Sequence, residues 1–183
     1  MSLDHSPSQQ SPRLTLSWLL MSFGVMLIVL DQWIKSWVVH NLPLIDSTSY
    51  VYPYGGIGVF RNFLGIEFSI NHMTNTGAAW GVLGHYQLPL LVLRIILIIM
   101  LITYLTRFNR HLAWQLPLVL ITAGAIGNVI DFFVYGHVID MFHFVFGRFD
   151  FPVFNLADSA ISIGIILLFF LSWTTQENSK EST

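Results

Sequence analysis

Four stretches of the chain are almost wholly apolar, running from about Leu14 to Val39, Leu88 to Phe108, Ala113 to Tyr135 and Val153 to Trp173. About 20 apolar residues in helical form cross the hydrocarbon core of a bilayer, so each stretch predicts a spanning helix. The first is not expected to be a cleavable leader. Its apolar run is too long, it has no small-residue cleavage site, and its distal part carries Asp31 and Lys35.

Between the spans the period changes. In the outer segment of about residues 40–87, Leu64, Ile66, Phe68 and Ile70 alternate with Gly65, Glu67, Ser69 and Asn71, the period of two of a strand with one apolar face. In the second outer segment, about 136–152, Phe142, Phe144 and Phe146 alternate before Gly147-Arg148, and Phe149 and Phe151 follow, which predicts a hairpin turning at Gly147. The pattern as a whole predicts an integral membrane α-helical protein. Its four transmembrane helices, within residues 14–173, carry a small extracytoplasmic β platform whose apolar face rests on lipid. Residues 1–13, rich in Ser, Pro and Gln, and the polar residues 174–183 read as disordered tails. Arg13, Arg107, Arg110 and Lys180 flank one side, and Arg61 and Arg148 fall in the opposite loops, so the positive-inside rule puts both termini in the cytoplasm.

Composition agrees. The chain is 54% hydrophobic and 10% charged, with a mean hydropathy of +0.65, where a soluble domain carries about 25% charged residues. A net charge of −2 offers no basic stripe for nucleic acid. Without cysteine there is no disulfide, thiolate nucleophile or Cys-type zinc site. His40, His72, His85, His137 and His143 gather on the outer side, but no H-E-x-x-H is present and strand alternation separates His137 from His143. No metal site is expected.

Ionisable side chains inside spans are costly and point to function. Asp131 stands near the outer end of the third span, roughly 6 Å deep, and Asp158 near the outer end of the fourth, roughly 9 Å deep. Two carboxylates on adjacent antiparallel helices at matched depth are expected to meet and share a proton, as aspartic peptide hydrolysis requires. Each follows an Asn by three residues, Asn128 and Asn155, on the same helix face. Small residues around both, among them Gly124, Gly127, Ala157 and Ala160, allow close helix approach. The alternatives are two structural caps, or a proton- or cation-coupled carrier using the same aspartates. Asp31 and Lys35, spaced i and i+4, predict a structural ion pair. Arg94 on the second span is expected to snorkel to the surface, or else to hold a lipid phosphate.

Four blocks in order carry a resemblance: Asp31-Gln-Trp-Ile-Lys35, Asn75-Thr-Gly77-Ala-Ala-Trp80, Gly127-Asn128-Val-Ile-Asp131 and Phe154-Asn155-Leu-Ala-Asp158-Ser159. From about Leu16 to Trp173 the chain resembles the bacterial lipoprotein signal peptidases, signal peptidase II. The resemblance implies an aspartic endopeptidase of the bacterial plasma membrane, with its site near the extracytoplasmic face. Such an enzyme removes the signal peptide from diacylglyceryl-modified prolipoproteins, cutting before the lipid-modified cysteine. It uses no cofactor, contacts membrane lipid, and is inhibited by cyclic peptides of the globomycin type. Asp131 and Asp158 match the dyad; Asn75, Gly77, Asn128, Asp140, Asn155, Asp31 and Lys35 match residues that bind substrate or support the site. Asn75 suits either a substrate contact or an Asx turn opening a short helix from Gly77 to Leu83. The chain departs from the pattern at Phe132, where Arg usually follows G-N-x-x-D, and at His143, where an acidic residue is common. Phe132 bears on whatever that Arg does in ordering the site or binding substrate.

Overall fold

The computed structural model describes residues 13–45, 51–75, 87–108 and 112–181. In chain order the elements are α1 (Arg13–Asn41), β1 (Ile57–Phe63), β2 (Ile66–Asn75), α2 (Gln87–Thr103), α3 (Leu112–Tyr135), β3 (Val138–Phe146), β4 (Phe149–Asp150) and α4 (Leu156–Glu181), with a π-turn, Tyr104–Phe108, prolonging α2. Among the described residues, four helices are long and apolar enough to cross a membrane. Their outer surfaces expose Leu19, Val29, Val92, Ile99, Phe133, Ile166 and Phe169. Such surfaces are stable in lipid and not in water, so this is a multi-pass membrane protein.

Helix α3 is the hub. It packs against α1, α2 and α4, and half of its spanning window is buried, against 6% for α2. The small residues foreseen on α3 explain the close approach. A Cβ at Gly124 would run into the Ala157 carbonyl and the Ile161 side chain, and one at Gly127 would lie 2.8 Å from the Asp31 carboxylate. Polar groups on three helices are thereby brought within bonding distance.

The strands form one antiparallel sheet in the order β1-β2-β3-β4. Alternation along β3 divides its residues between two faces. Phe142, Phe144 and Phe146 join Phe68 and Phe154 in a slab of rings, with Phe68 and Phe144 stacked at 4.3 Å and Phe144 and Phe154 at 5.9 Å. Ile139 and Met141 project the other way and form a core with Val38 of α1, anchoring the sheet to the bundle. Farther out, Asn71 donates to the Pro53 and Tyr54 carbonyls, and the Tyr54 ring lies 4.7 Å from His143.

The hairpin at Gly147 forms as expected, pairing Val145 with Asp150 and Phe146 with Phe149. Two expectations need correction, and one strand lies outside them. Strand β1 was not foreseen, because register shifts on both sides of Phe60 break its alternation. Leu64 belongs to the β1–β2 turn rather than a strand, with φ 52° followed by Gly65 at φ 80°. Helix α4 begins at Leu156, not Val153, and runs on to Glu181 through much of the supposed tail, where no Gly or Pro interrupts it.

Candidate active site

The first turn of α4 positions the most polar cluster. Asn155 is its N-cap. The Asn155 Oδ1 accepts the Asp158 N–H at 2.8 Å, while the Asp158 Oδ2 accepts the Asn155 N–H at 3.4 Å. This reciprocal arrangement has the geometry of a capping box, with Asp158 in the third helical position. Asp158 is therefore held by its own helix, half-buried, at the mouth of the bundle.

The Asn155 side-chain amide then reaches across to the sheet. Its Nδ2 donates to Asp140 Oδ1 at 2.8 Å, and also lies 3.2 Å from the Ile139 carbonyl and 3.1 Å from Asn128 Oδ1. The second oxygen of Asp140 accepts from Asn75 Nδ2 at 3.0 Å. Asp140 is buried, at 2% exposure. Burial and then the neighbouring charge of Asp158 push its carboxyl up to about 7, against the opposing bonds from Asn75 and Asn155. The platform strand thus brings a carboxyl group beside the helical one.

Beneath lies a buried charge cluster on α1 and α3. Lys35 Nζ lies 2.8 Å from Asp31 Oδ2, 2.7 Å from Asp131 Oδ2 and 3.1 Å from Asn128 Oδ1, three acceptors for its three N–H groups. Lys35, Asp31 and Asp131 are wholly buried. Because an ammonium only donates, it fixes the Asn128 amide with oxygen toward Lys35 and nitrogen toward Asp158, where Nδ2 donates to Oδ1 at 2.7 Å. Asp31 Oδ1 also accepts the Ala157 N–H at 2.9 Å, satisfying one of the orphan donors at the start of α4.

The expected meeting of Asp131 with Asp158 is not what these contacts favour. Both Asp131 oxygens are occupied: Oδ1 accepts from Gln32 at 2.7 Å, and Oδ2 from Lys35 at 2.7 Å and the Ile139 N–H at 3.1 Å. Lys35 and Asn128 link it to Asp158. The charge of Asp158 contributes, after burial, to the upward shift of Asp140. Matched depth on two helices was a sound criterion, but it considered spanning residues only, and Asp140 arrives from a strand.

The ion pair foreseen between Asp31 and Lys35 is present and extends to Asp131. Gln32 is the residue that sequence reasoning left without a role. Its Nε2 also lies 3.0 Å from the Gly127 carbonyl and 3.3 Å from Asp31 Oδ2. A neutral amide inside a span, adjacent to Asp31, was the available signal. Asn75 lies at the end of β2, whereas Gly77 and the short helix expected after it fall outside the described residues. His143 Nε2 lies 2.7 Å from Asp150 Oδ1 on the platform. Arg94 and Phe132 line one small cavity beside Asn75.

Comparison with known proteins bears on this arrangement. A family model described as signal peptidase (SPase) II matches residues 23–174. A lipoprotein signal peptidase of Bacillus pumilus (strain SAFR-032) is 37% identical over 158 residues, covering 86% of this chain and 94% of the relative. One from Chlamydia pneumoniae is 36% identical over 165 residues, covering 86% and 93%. Among solved structures, a bacterial membrane enzyme determined by the in meso method at 2.3 Å resolution superposes with a TM-score of 0.71 at 28% identity, over 88% of this chain and 90% of that one. A second bacterial membrane enzyme, determined by the same method at 1.9 Å, gives 0.64 at 29% identity, over 85% and 90%.

Proposed function

The chain belongs to the signal peptidase II family, and we propose that it is an intramembrane aspartic endopeptidase working through Asp140 and Asp158. Its substrates are diacylglyceryl-modified prolipoproteins, cut before the lipid-modified cysteine, in the bacterial plasma membrane with the site near the extracytoplasmic face. The observation that carries the choice of dyad is Asn155. It binds Asp140 through its side-chain amide and Asp158 through its backbone N–H, so a single residue holds two carboxyl groups together.

Two neighbouring carboxyl groups resist double ionisation, and the pair keeps one proton near neutral pH. Asp140, pushed up to about 7 by burial and by Asp158, is the better holder of that proton. Asp158, half-buried and turned by Asn128, is the better base. Water attacks the scissile carbonyl carbon as Asp158 takes its proton, while the Asp140 O–H donates to the carbonyl oxygen. Collapse of the tetrahedral species breaks the C–N bond, and a proton from the dyad passes to the leaving amine. No step calls for a metal or cofactor. Asp131, Asp31, Lys35 and Gln32 act as positioning residues behind Asn128. A cyclic peptide inhibitor of the globomycin type would compete at the same carboxyl pair.

The test is a cleavage assay with purified protein in detergent, without an ion gradient. A diacylglyceryl-modified prolipoprotein should be cut before its cysteine and an unmodified one left intact. Equal cutting of both, or of neither, would refute the reading.

A further inference from the structure

Beside the carboxyl pair lies the same small cavity, between the ends of α2 and α3 nearest the sheet and the start of β3. Asn75, Gln87, Arg94, Phe132 and His137 contribute to its walls. It adjoins the dyad directly, because Asn75 also donates to Asp140 Oδ2 at 3.0 Å. Arg94 is the one charged residue of α2, roughly 10 Å along the helix from Gln87. A cation at that depth is costly and points to function. The polar lining comprises the Arg94 guanidinium, which only donates, the amides of Asn75 and Gln87, which donate and accept, and the His137 ring. Phe132 adds apolar lining and no charge.

A guanidinium in a pocket next to a hydrolytic pair suits an oxygen acceptor on the substrate. Resting on the reading given above, we propose that Arg94 is a substrate-binding residue, donating to a carbonyl oxygen of the lipopeptide (peptide or acyl ester) in the cavity it shares with Asn75 and Phe132. A phospholipid phosphate offers the same acceptor chemistry at the same depth, so the test must separate the two sources. Because Phe132 faces the same space from α3, an arginine there would return a guanidinium to the cavity.

The experiment measures kcat and KM for a diacylglyceryl lipopeptide with the full-length wild type, Arg94→Leu, Arg94→Lys and the double variant Arg94→Leu/Phe132→Arg, first in nonionic detergent and then with added phosphatidylglycerol. Loss of a charged hydrogen bond predicts that Arg94→Leu raises KM roughly tenfold or more in nonionic detergent, with kcat changed much less. Arg94→Lys, which keeps the charge but loses the fork, should fall between, and it serves as the test if the leucine variant does not fold. The double variant should recover most of the lost affinity. Unchanged KM in a folded Arg94 variant, failure of the folded double variant to recover, or an effect seen only with phosphatidylglycerol would each overturn the proposal while leaving the peptidase reading intact. A wild type that cuts nothing would remove both.

Discussion

An acid that exchanges protons with substrate needs an ionisation near the working pH, and buried aspartates reach one only when burial outweighs their hydrogen bonds. Asp140 is in that position, up to about 7 from an ordinary 3.8. A folded-state value raised above the unfolded one means that the protonated form favours folding. That contribution is complete below about 4 and is lost as pH rises through about 7. Cleavage should therefore fall as pH rises through this region, because the pair loses its shared proton, with apparent values that belong to the pair. Asp158→Asn removes the second-largest cause of the shift and leaves burial, so Asp140 should ionise at lower pH while staying above an ordinary carboxylate. Carboxyl carbon resonances followed through a titration would report it. An unchanged Asp140 titration in that variant would contradict the coupling of the two groups.

At the scale of elements, α4 makes the site because its N-cap is also the bridge. The two Asn–Asp pairs look equivalent in sequence, each three residues apart, yet they differ in structure. Asn155 and Asp158 form a capping box, whereas Asn128 turns from Asp131 toward Asp158 under the direction of Lys35. Spacing identified the helix faces but could not tell which residue each amide would meet. The role of Asp140 was harder to read still. It lies in a strand among alternating Phe residues, and its partner is contributed by a helix beyond the hairpin. Strand β1 was hidden by its bulges. Asn155→Ser should keep a cap and lose the bond to Asp140, whereas Asn155→Ala should lose both and cost about 1 kcal/mol more in stability. Both variants should lose turnover to a similar extent, with only the alanine variant melting lower. Activity that follows melting temperature across the two would assign Asn155 to the cap alone.

For the whole molecule, the apolar periodicity was sufficient to find four spans, and the α3 hub follows from its small residues. From the basic flanks alone we propose an orientation with both termini in the cytoplasm. The chain has no cysteine, so single cysteines at Glu67, Arg148 and Arg107 give an unambiguous test in whole cells. The first two should react with an impermeant reagent from outside, and Arg107→Cys only after the membrane is opened; labelling of Arg107→Cys in intact cells would invert the orientation. The central claim is the division of labour among the aspartates, with Asp140 and Asp158 reacting and Asp131 holding Lys35. Breaking a buried ion pair costs about 3–5 kcal/mol, whereas removing a reacting carboxyl leaves the charge cluster whole. The most direct measurement is turnover per folded molecule, with the melting temperature, for Asp131→Asn, Asp140→Asn and Asp158→Asn in identical detergent. Asp140→Asn and Asp158→Asn should be folded, melt near the wild type and cut nothing measurable, while Asp131→Asn should melt well below it and retain turnover in the fraction that stays folded. A stable, inactive Asp131→Asn beside an active Asp140→Asn would overturn the assignment of the dyad.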